Sequence, residues 1–330
     1  MSHTLIQDAL FTAKSVRELD RLVIEEQGIP GIILMKRAGR AVLSELLDAY
    51  GTPSLLSVFC GSGNNGGDGY IVAALAAEKN IAVQCFEMGG TLTADAALAK
   101  QFAEQAKVGF YPADSDVELV QGVVVDCLLG TGLNGEMRQP YVDVIDLIND
   151  CGLPVVAVDI PSGLNADTGA VARVAVQADI TVTFIGAKQG LFSGRGPAVC
   201  GEVIYDSLDI AEDVFQQVDA SAELMDLSDL LEQLPEPEVD AYKTQRGHGM
   251  VVGGDHGFGG AAIMAAEACL KVGAGMASVA TRPEHVAAAL ARQPEIMACG
   301  VTSGQQLEPL LDRPTVLITG PGLGRSSWSE

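Results

Sequence analysis

Between Leu55 and Glu78 the chain passes from a short apolar run, through a glycine-rich stretch, into an alanine-rich segment, and few folds accept that order. Leu55-Leu56-Ser57-Val58-Phe59-Cys60 has the length and composition of a buried parallel strand. Gly61-Ser62-Gly63-Asn64-Asn65-Gly66-Gly67-Asp68-Gly69 reads as a turn, and Tyr70 to Glu78 as a helix. A strand, a glycine-rich turn and a helix in that order aim unpaired backbone N–H groups and a positive dipole end at an anion. The five glycines of the run let the backbone approach a ligand closely. Two asparagines and Asp68 add donors and acceptors that a phosphate cradle does not use, so a ligand larger than phosphate is expected.

The alternation continues on both sides. Strand-like runs occur at 55–60, 81–86, 122–128, 154–159, 179–185 and 201–206, and helix-like runs at 68–79, 93–107 and 139–150. Strands separated by helices of this length predict a parallel sheet covered on both faces, a three-layer α/β/α domain over residues 1–215. Two helices open the domain, before the alternation begins. Ser15 is expected to cap the first, which runs to about Glu26 with Glu18 at the capping-box position and Val16, Leu19, Leu22 and Val23 on one face. Gly28-Ile29-Pro30-Gly31 breaks it, and the second runs from about Ile32 to Ala49. Residues 216–240 are acidic, contain Pro235-Glu236-Pro237-Glu238 and read as a linker. A second α/β pattern fills 241–330: a strand near 249–253, the loop Gly253 to Gly260, a helix from about Ala261, and strands near 276–280 and 315–319. The chain ends six residues after Gly320-Pro321-Gly322-Leu323-Gly324, which suggests only the N-terminal part of a second domain.

Charge narrows the partners. The net charge of −23, from 43 acidic and 20 basic side chains, opposes binding to nucleic acid or to an anionic membrane. No apolar run reaches the roughly 18–20 residues that span a bilayer, and the N-terminus lacks the basic and apolar regions of a secretory signal. Seven scattered cysteines include no Cys-x-x-Cys pair and are odd in number, which predicts free thiols and a cytoplasmic, reducing location. The four histidines show no metal-ligand spacing with them.

Three strands of the first domain end in polar loops that one crevice could collect. The first is the asparagine-glycine run. The second is Asp126-Cys127-Leu128-Leu129-Gly130-Thr131-Gly132-Leu133-Asn134-Gly135-Glu136, and the third is Asp159-Ile160-Pro161-Ser162-Gly163-Leu164. Asp126 and Asp159 end apolar strands, where an ionised carboxylate needs a partner, a hydrogen bond or a cation; capping of the following turns is the plainer role. Oxygen ligands from Asn65, Asp126 and Ser162, with loop carbonyls, would suit an alkali or alkaline-earth cation better than zinc. Gly61-Ser62-Gly63-Asn64-Asn65-Gly66 also matches the Gly-x-Gly-x-x-Gly dinucleotide spacing, with Glu87 as its acidic partner. The extra Asn-Asn and Gly-Gly-Asp-Gly do not belong to that fingerprint, and no hydride-transfer machinery is evident, which argues against an ordinary dehydrogenase.

These motifs resemble a known family. Asn64 to Gly69, Asp126 to Gly132 and Asp159-Ile160-Pro161-Ser162-Gly163 look like the N-terminal domain of NAD(P)HX epimerases, which act on hydrated NAD(P)H. Arg17-Glu18-Leu19-Asp20, Leu34-Met35-Lys36-Arg37-Ala38-Gly39 and Phe184-Ile185-Gly186-Ala187-Lys188-Gln189-Gly190-Leu191 fit the same family. The resemblance covers nearly all of residues 10–215. Tyr242 to Gly249, Val251-Val252-Gly253-Gly254, Lys271 to Gly275 and Gly320 to Gly324 resemble the ADP-dependent (6S)-NAD(P)HX dehydratase half of the bifunctional bacterial enzymes. The implied architecture is a Rossmann-like α/β/α epimerase domain followed by the N-terminal part of a ribokinase-like domain. The family's His-Pro-Gly-Glu segment and its Gly-Thr-Gly-Asp loop do not occur before Glu330, so ADP-dependent dehydration is not expected of a chain that ends there.

The resemblance implies interconversion of the R and S forms of NADHX or NADPHX at nicotinamide C6, a metabolite repair reaction, in a homodimer or higher homo-oligomer. It gives the substrate to Asn64, Asn65, Gly66, Gly67, Asp68, Gly130, Thr131, Gly132, Leu133, Asn134, Gly135, Glu136, Tyr141 and Asp159. It gives a potassium ion to Asn65, Asp126 and Ser162, the three oxygen ligands already singled out. Proton transfer beside C6 falls to Asp159, which ends a buried strand at the crevice. In the dehydratase-like half, Ala261, Ala262 and Gly322 correspond to substrate contacts, with ADP as co-substrate only in a complete domain. Related N-terminal domains also serve as binding modules, in a messenger-RNA decapping scaffold and an apolipoprotein-binding protein. The complete Asn-Asn-Gly-Gly-Asp run, the two strand-end aspartates and the fused dehydratase-like sequence favour the enzyme. A small-molecule kinase is disfavoured because the phosphate-transfer loop is absent.

Overall fold

The computed structural model describes residues 8–114, 117–132, 137–171, 173–232, 234 and 238–330. It divides into two units, Met1–Asp229 and Leu230–Glu330.

The first unit opens with strand β1 (Ala9–Phe11) and helix α1 (Ala13–Glu25). Thr12 caps α1, in place of the expected Ser15. Its Oγ1 accepts the Ser15 backbone N–H at 3.1 Å, and the Asp167 carboxylate accepts the Ala13 N–H at 2.6 Å. Asp167 is far away in sequence, so local pattern could not reveal how this helix start is satisfied. Glu18 pairs with Arg21 at 2.7 Å instead of closing a capping box.

Helix α2 (Gly31–Tyr50) follows, then β2 (Leu56–Cys60), α3 (Asn64–Glu78), β3 (Val83–Glu87), α4 (Ala94–Gln105), β4 (Gly109–Pro112), β5 (Val123–Cys127), α5 (Gln139–Asp150), β6 (Val155–Val158), β7 (Ile180–Phe184), β8 (Ala187–Lys188), β9 (Glu202–Asp206) and β10 (Ala222–Glu223). Seven strands form a parallel sheet in the order β4-β3-β2-β5-β6-β7-β9. β4, Gly109-Phe110-Tyr111-Pro112, is an edge strand that the apolar pattern did not announce. Successive residues turn to opposite faces. Val58, Val125, Val156 and Val182 pack against α1–α4, while Phe59, Phe86, Val124 and Val155 pack against Tyr141, Ile145 and Ile148 of α5. Burying each large apolar side chain is worth about 1.5–3 kcal/mol, so these two cores hold the strand ends in place. β1 joins β8 and β10 in a small separate sheet, which ties residues 222–223 of the acidic segment to the first unit.

The glycine-rich run behaves differently from the expected turn. α3 begins at Asn64, with Gly63 extended before it (φ −86°, ψ −170°), so Asn64 to Gly69 form the first turns of the helix. A Cβ on Gly66 would lie 1.9 Å from the Gly61 carbonyl oxygen. Glycine is needed there because the helix closes directly over the end of β2, a demand of packing that reads as a loop in sequence.

The second unit carries β11 (His248–Val252), α6 (Gly259–Lys271), β12 (Met276–Thr281), α7 (Val286–Arg292), β13 (Met297–Gly300) and β14 (Val316–Thr319). Its strands are parallel in the order β13-β12-β11-β14, around a core of Val251, Ile263, Ala266, Val279 and Ile296. β13, Met297-Ala298-Cys299-Gly300, has no β-branched residue and went unpredicted. All seven cysteines are free, and Cys60, Cys85, Cys127 and Cys200 are buried. No helix among the described residues is long and apolar enough to cross a membrane.

Candidate active site

From β2 the chain works outward through β3 to β4, then returns to place β5 on the other side of β2. This reversal opens a crevice at the carboxyl ends of β2 and β5, the usual ligand position in an open α/β sheet. A cavity of about 670 Å³ lies there. Asn64, Asn65 and Asp68 of α3, Gly130, Thr131 and Gly132 after β5, Tyr141 of α5 and Asp159 after β6 all line it. The three loops singled out in the sequence therefore meet.

At one end, Asn64 accepts a hydrogen bond from Thr93 through its Oδ1 at 2.7 Å, beside the N-terminus of α3. Beneath the cavity, Asp126 is fully buried. Its Oδ1 accepts the Leu128 N–H at 3.1 Å and the Ser162 hydroxyl at 2.6 Å, and its Oδ2 accepts the Ser162 N–H at 2.7 Å. Burial pushes the carboxyl up to about 6, although these three bonds favour the ionised form. Asp126 thus caps its own turn and also ties β5 to the 159–164 loop. Asn65 donates through Nδ2 to the Leu129 carbonyl at 3.1 Å, which leaves its Oδ1 buried without a hydrogen-bond partner. An unpaired amide oxygen beside a carboxylate, a hydroxyl and a carbonyl is a hard-oxygen set of the kind an alkali cation takes. Among the described residues no group of three or more His, Cys, Asp or Glu could hold a metal ion.

Asp159 and Ile185, at the ends of β6 and β7, have positive φ angles of 68° and 63°, and Leu208 nearby has 54°. All three line the cavity. A β-branched residue in the left-handed region is strained, and strain of this kind gathers at functional sites. Asp159 pairs with Lys188, whose side chain is 1% exposed. The Lys188 ammonium donates to Asp159 Oδ1, to Thr183 Oγ1 at 3.1 Å and to the Phe184 carbonyl at 3.0 Å. Two further carboxyls join this pair at the cavity wall. Burial pushes Asp20 of α1 up to about 6, against the pull of Lys188. Asp68 is pushed well above the ordinary carboxylate range by burial, and by the charges of Asp159 and Asp20.

Sequence reasoning missed Lys188 and Asp20 as site residues, and it did not anticipate Arg17 or Arg138, which also line the cavity. The available signals were a lysine inside the apolar run Phe184 to Phe192 and an aspartate four residues from both Val16 and Ile24 on α1. Gly66 and Gly67 do not line the cavity. A Cβ on Gly67 would meet the Met35 side chain at 2.8 Å, so both glycines serve the packing of α3. Leu133, Asn134, Gly135 and Glu136 lie outside the described residues. Ala261, Ala262 and Gly322 belong to the second unit, where Ala262 is buried, Ala261 is exposed, and the Gly322 carbonyl accepts the Asp255 N–H at 2.8 Å. Glu87 is engaged by the Tyr70 hydroxyl at 2.6 Å and by Lys100 at 2.7 Å, and it does not line the cavity. The dinucleotide fingerprint therefore fails at its acidic position.

Comparison with known proteins places both parts of the chain in described families. Residues 31–190 match the family described as YjeF-related protein N-terminus, and residues 249–330 match NAD(P)H-hydrate dehydratase. The chain is 42% identical, over 97% of its length, to a bifunctional NAD(P)H-hydrate repair enzyme of Coxiella burnetii, and 36% identical over 98% to the one of Escherichia coli K12. It spans 66% and 63% of those two relatives. A crystal structure of the yeast protein YNL200c superposes with a TM-score of 0.54 at 18% identity, covering 66% of this chain and 95% of the yeast chain, and shares its fold.

Proposed function

We propose that this chain, which belongs to the family joining a YjeF-related N-terminal domain to NAD(P)H-hydrate dehydratase sequence, interconverts the R and S forms of hydrated NAD(P)H at nicotinamide C6. The observation that carries the reading is the meeting of Asn64, Asn65, Asp68, the 130–132 loop, Tyr141 and Asp159 around one cavity. The start of α3 faces the cavity with its unpaired N–H groups and positive dipole end, suited to the pyrophosphate. Arg138, stacked over Tyr141 with its guanidinium 5.4 Å from the ring centre, adds positive charge on the α5 side.

Changing the configuration at C6 requires the hydroxyl to leave and return, or the ring to open and close, and either route needs a proton carrier beside C6. Asp159 fits that role. Its backbone is held by the Asp159 N–H to Val182 carbonyl bond of 2.7 Å and its carboxylate by Lys188, so it meets the substrate in a fixed orientation. Asn65, Asp126 and Ser162, with the Leu129 carbonyl, would hold a potassium ion, which the unpaired Asn65 Oδ1 favours. When bound, that ion supplies fixed positive charge beneath the cavity.

The test is to incubate the protein with separated R and S NADHX and follow both peaks by chromatography, with and without potassium and ADP. Accelerated R–S exchange, lost in Asp159→Asn with the fold intact, is expected. Retained turnover in that variant would rule out Asp159 as the carrier. No change in either peak would favour a binding module, and NADH formed only with ADP reports on the second unit.

A further inference from the structure

We propose that Asp20 is a second catalytic residue of this site: its carboxyl protonates the C6 hydroxyl as it departs, and Asp159 takes the proton of the water that returns. The proposal rests on the epimerase reading above.

Val16, Asp20 and Ile24, each four residues from the next, form the stripe of α1 that faces the cavity. Among the described residues the Asp20 carboxyl accepts no hydrogen bond, so its oxygens are available to a ligand. The groups that face it are Lys188 and Asp159 at the ends of the sheet strands, Asp68 of α3, and Arg17 on its own helix. Lys188 is not an acid for this chemistry, because its three N–H bonds are already spent on Asp159, Thr183 and the Phe184 carbonyl. That leaves the two unpaired carboxyls. Asp68 holds its proton well above the ordinary carboxylate range, chiefly through burial and then through the charges of Asp159 and Asp20. Asp20, pushed up to about 6, is the one that gives and regains a proton near neutral pH, as a group cycling at every turnover must.

The step balances. The C6–O bond breaks as the Asp20 proton passes to the leaving oxygen, which departs as water, and the lone pair on ring N1 forms an N1=C6 iminium. A water then attacks C6. The new C6–O bond forms, the π pair returns to N1, and Asp159 accepts the surplus proton. One proton has moved from Asp20 to Asp159 and returns through water before the next turnover. Planar C6 keeps no record of the face from which oxygen left, so ionisation leads to inversion.

Oxygen exchange and pH dependence test this directly. R-NADHX is incubated with the full chain in water enriched in oxygen-18, and both inversion and label at C6 are followed by mass spectrometry. With the wild type, label is expected to enter at least as fast as inversion, and kcat/KM is expected to fall as Asp20 ionises above about pH 6. Asp20→Asn, nearly isosteric, should slow inversion and exchange together by about 100-fold or more, leave KM little changed, and remove the alkaline fall. An unimpaired variant overturns the proposal. So does a slow variant that keeps the alkaline fall, which would mark a structural role, and so does inversion without label, which would mark ring opening. A wild type that leaves both epimers unchanged would overturn the epimerase reading itself.

Discussion

The Asp20 site makes a prediction about stability that is independent of any substrate. Burial raises the Asp20 carboxyl from 3.8 to about 6 in the folded protein, with Lys188 opposing and Asp159 adding to the shift. A difference of about two pH units corresponds to roughly 3 kcal/mol. The sign follows from proton counting. Below about pH 4 the group is protonated in both folded and unfolded chains and contributes no penalty. Between about pH 4 and 6 the unfolded chain releases its proton while the folded chain keeps it, so stability declines as pH rises; above about 6 the full penalty applies. Asparagine has no proton to lose. The advantage of Asp20→Asn over the wild type should therefore grow from nothing near pH 4 to roughly 3 kcal/mol at pH 8. In a unit of this size each kcal/mol moves Tm by roughly 2–4 °C, so the variant should melt about 6–12 °C higher at pH 8. Calorimetric scans of both proteins at pH 4.5 and pH 8 measure the difference. An equal gain at both pH values, or a loss at pH 8, would refute the claim that an ionised carboxylate is being confined at this wall.

Other perturbations should separate the remaining elements. Lys188→Met strands the Asp159 carboxylate without its ammonium and should cost about 3–5 kcal/mol, seen as a lower denaturant midpoint; adding Asp159→Asn should restore much of it, and no restoration would disprove the pairing. Potassium, but not an equal concentration of choline, should raise Tm, by the equivalent of about 2.7 kcal/mol at a hundred times its Kd. Asn65→Ala should abolish that rise, and a potassium effect that survives in the variant would move the ion elsewhere. Gly66→Ala sets a methyl 1.9 Å from the Gly61 carbonyl oxygen. Overpacking of this kind costs about 1–3 kcal/mol or more, and an unchanged thermal midpoint would show that the start of α3 yields easily.

What the sequence made legible follows from which forces are local. Val123-Val124-Val125, Val155-Val156 and Ile180 to Phe184 are buried on both faces, and the unbroken valines of the first two and the β-branched Ile-Thr-Val-Thr of the third mark strands. β4 and β13 sit at sheet edges, with Gly109, Pro112 and Gly300 among residues of mixed exposure, and leave no such trace. The asparagine-glycine run was recognisable as part of the crevice wall, but not as helix, because what demands glycine at 66 and 67 is the close approach of the Gly61 carbonyl and the Met35 side chain, which local pattern does not show. Asp126 and Ser162 could be singled out together as oxygen donors from loops at neighbouring strand ends, though without their direct hydrogen bonds. Asp20 and Lys188 could not, because their chemistry depends on groups up to 168 residues apart that only the folded sheet assembles.

Three carboxyls and one ammonium at a single cavity wall, flanked by the strained backbones of Asp159, Ile185 and Leu208, form an unfavourable arrangement that the two packed cores must hold together. Such a cluster persists when the chemistry needs it, and substitutions there improve stability at the expense of function. The two variants that remove one charge each make the point sharply. Lys188→Met takes away the charge that balances the cluster and should both destabilise the protein and slow it. Asp20→Asn takes away a charge that the fold resists and should stabilise the protein while slowing it. A loss of rate that accompanies opposite changes in stability cannot arise from general loosening of the fold. It would locate the defect in proton transfer at this wall.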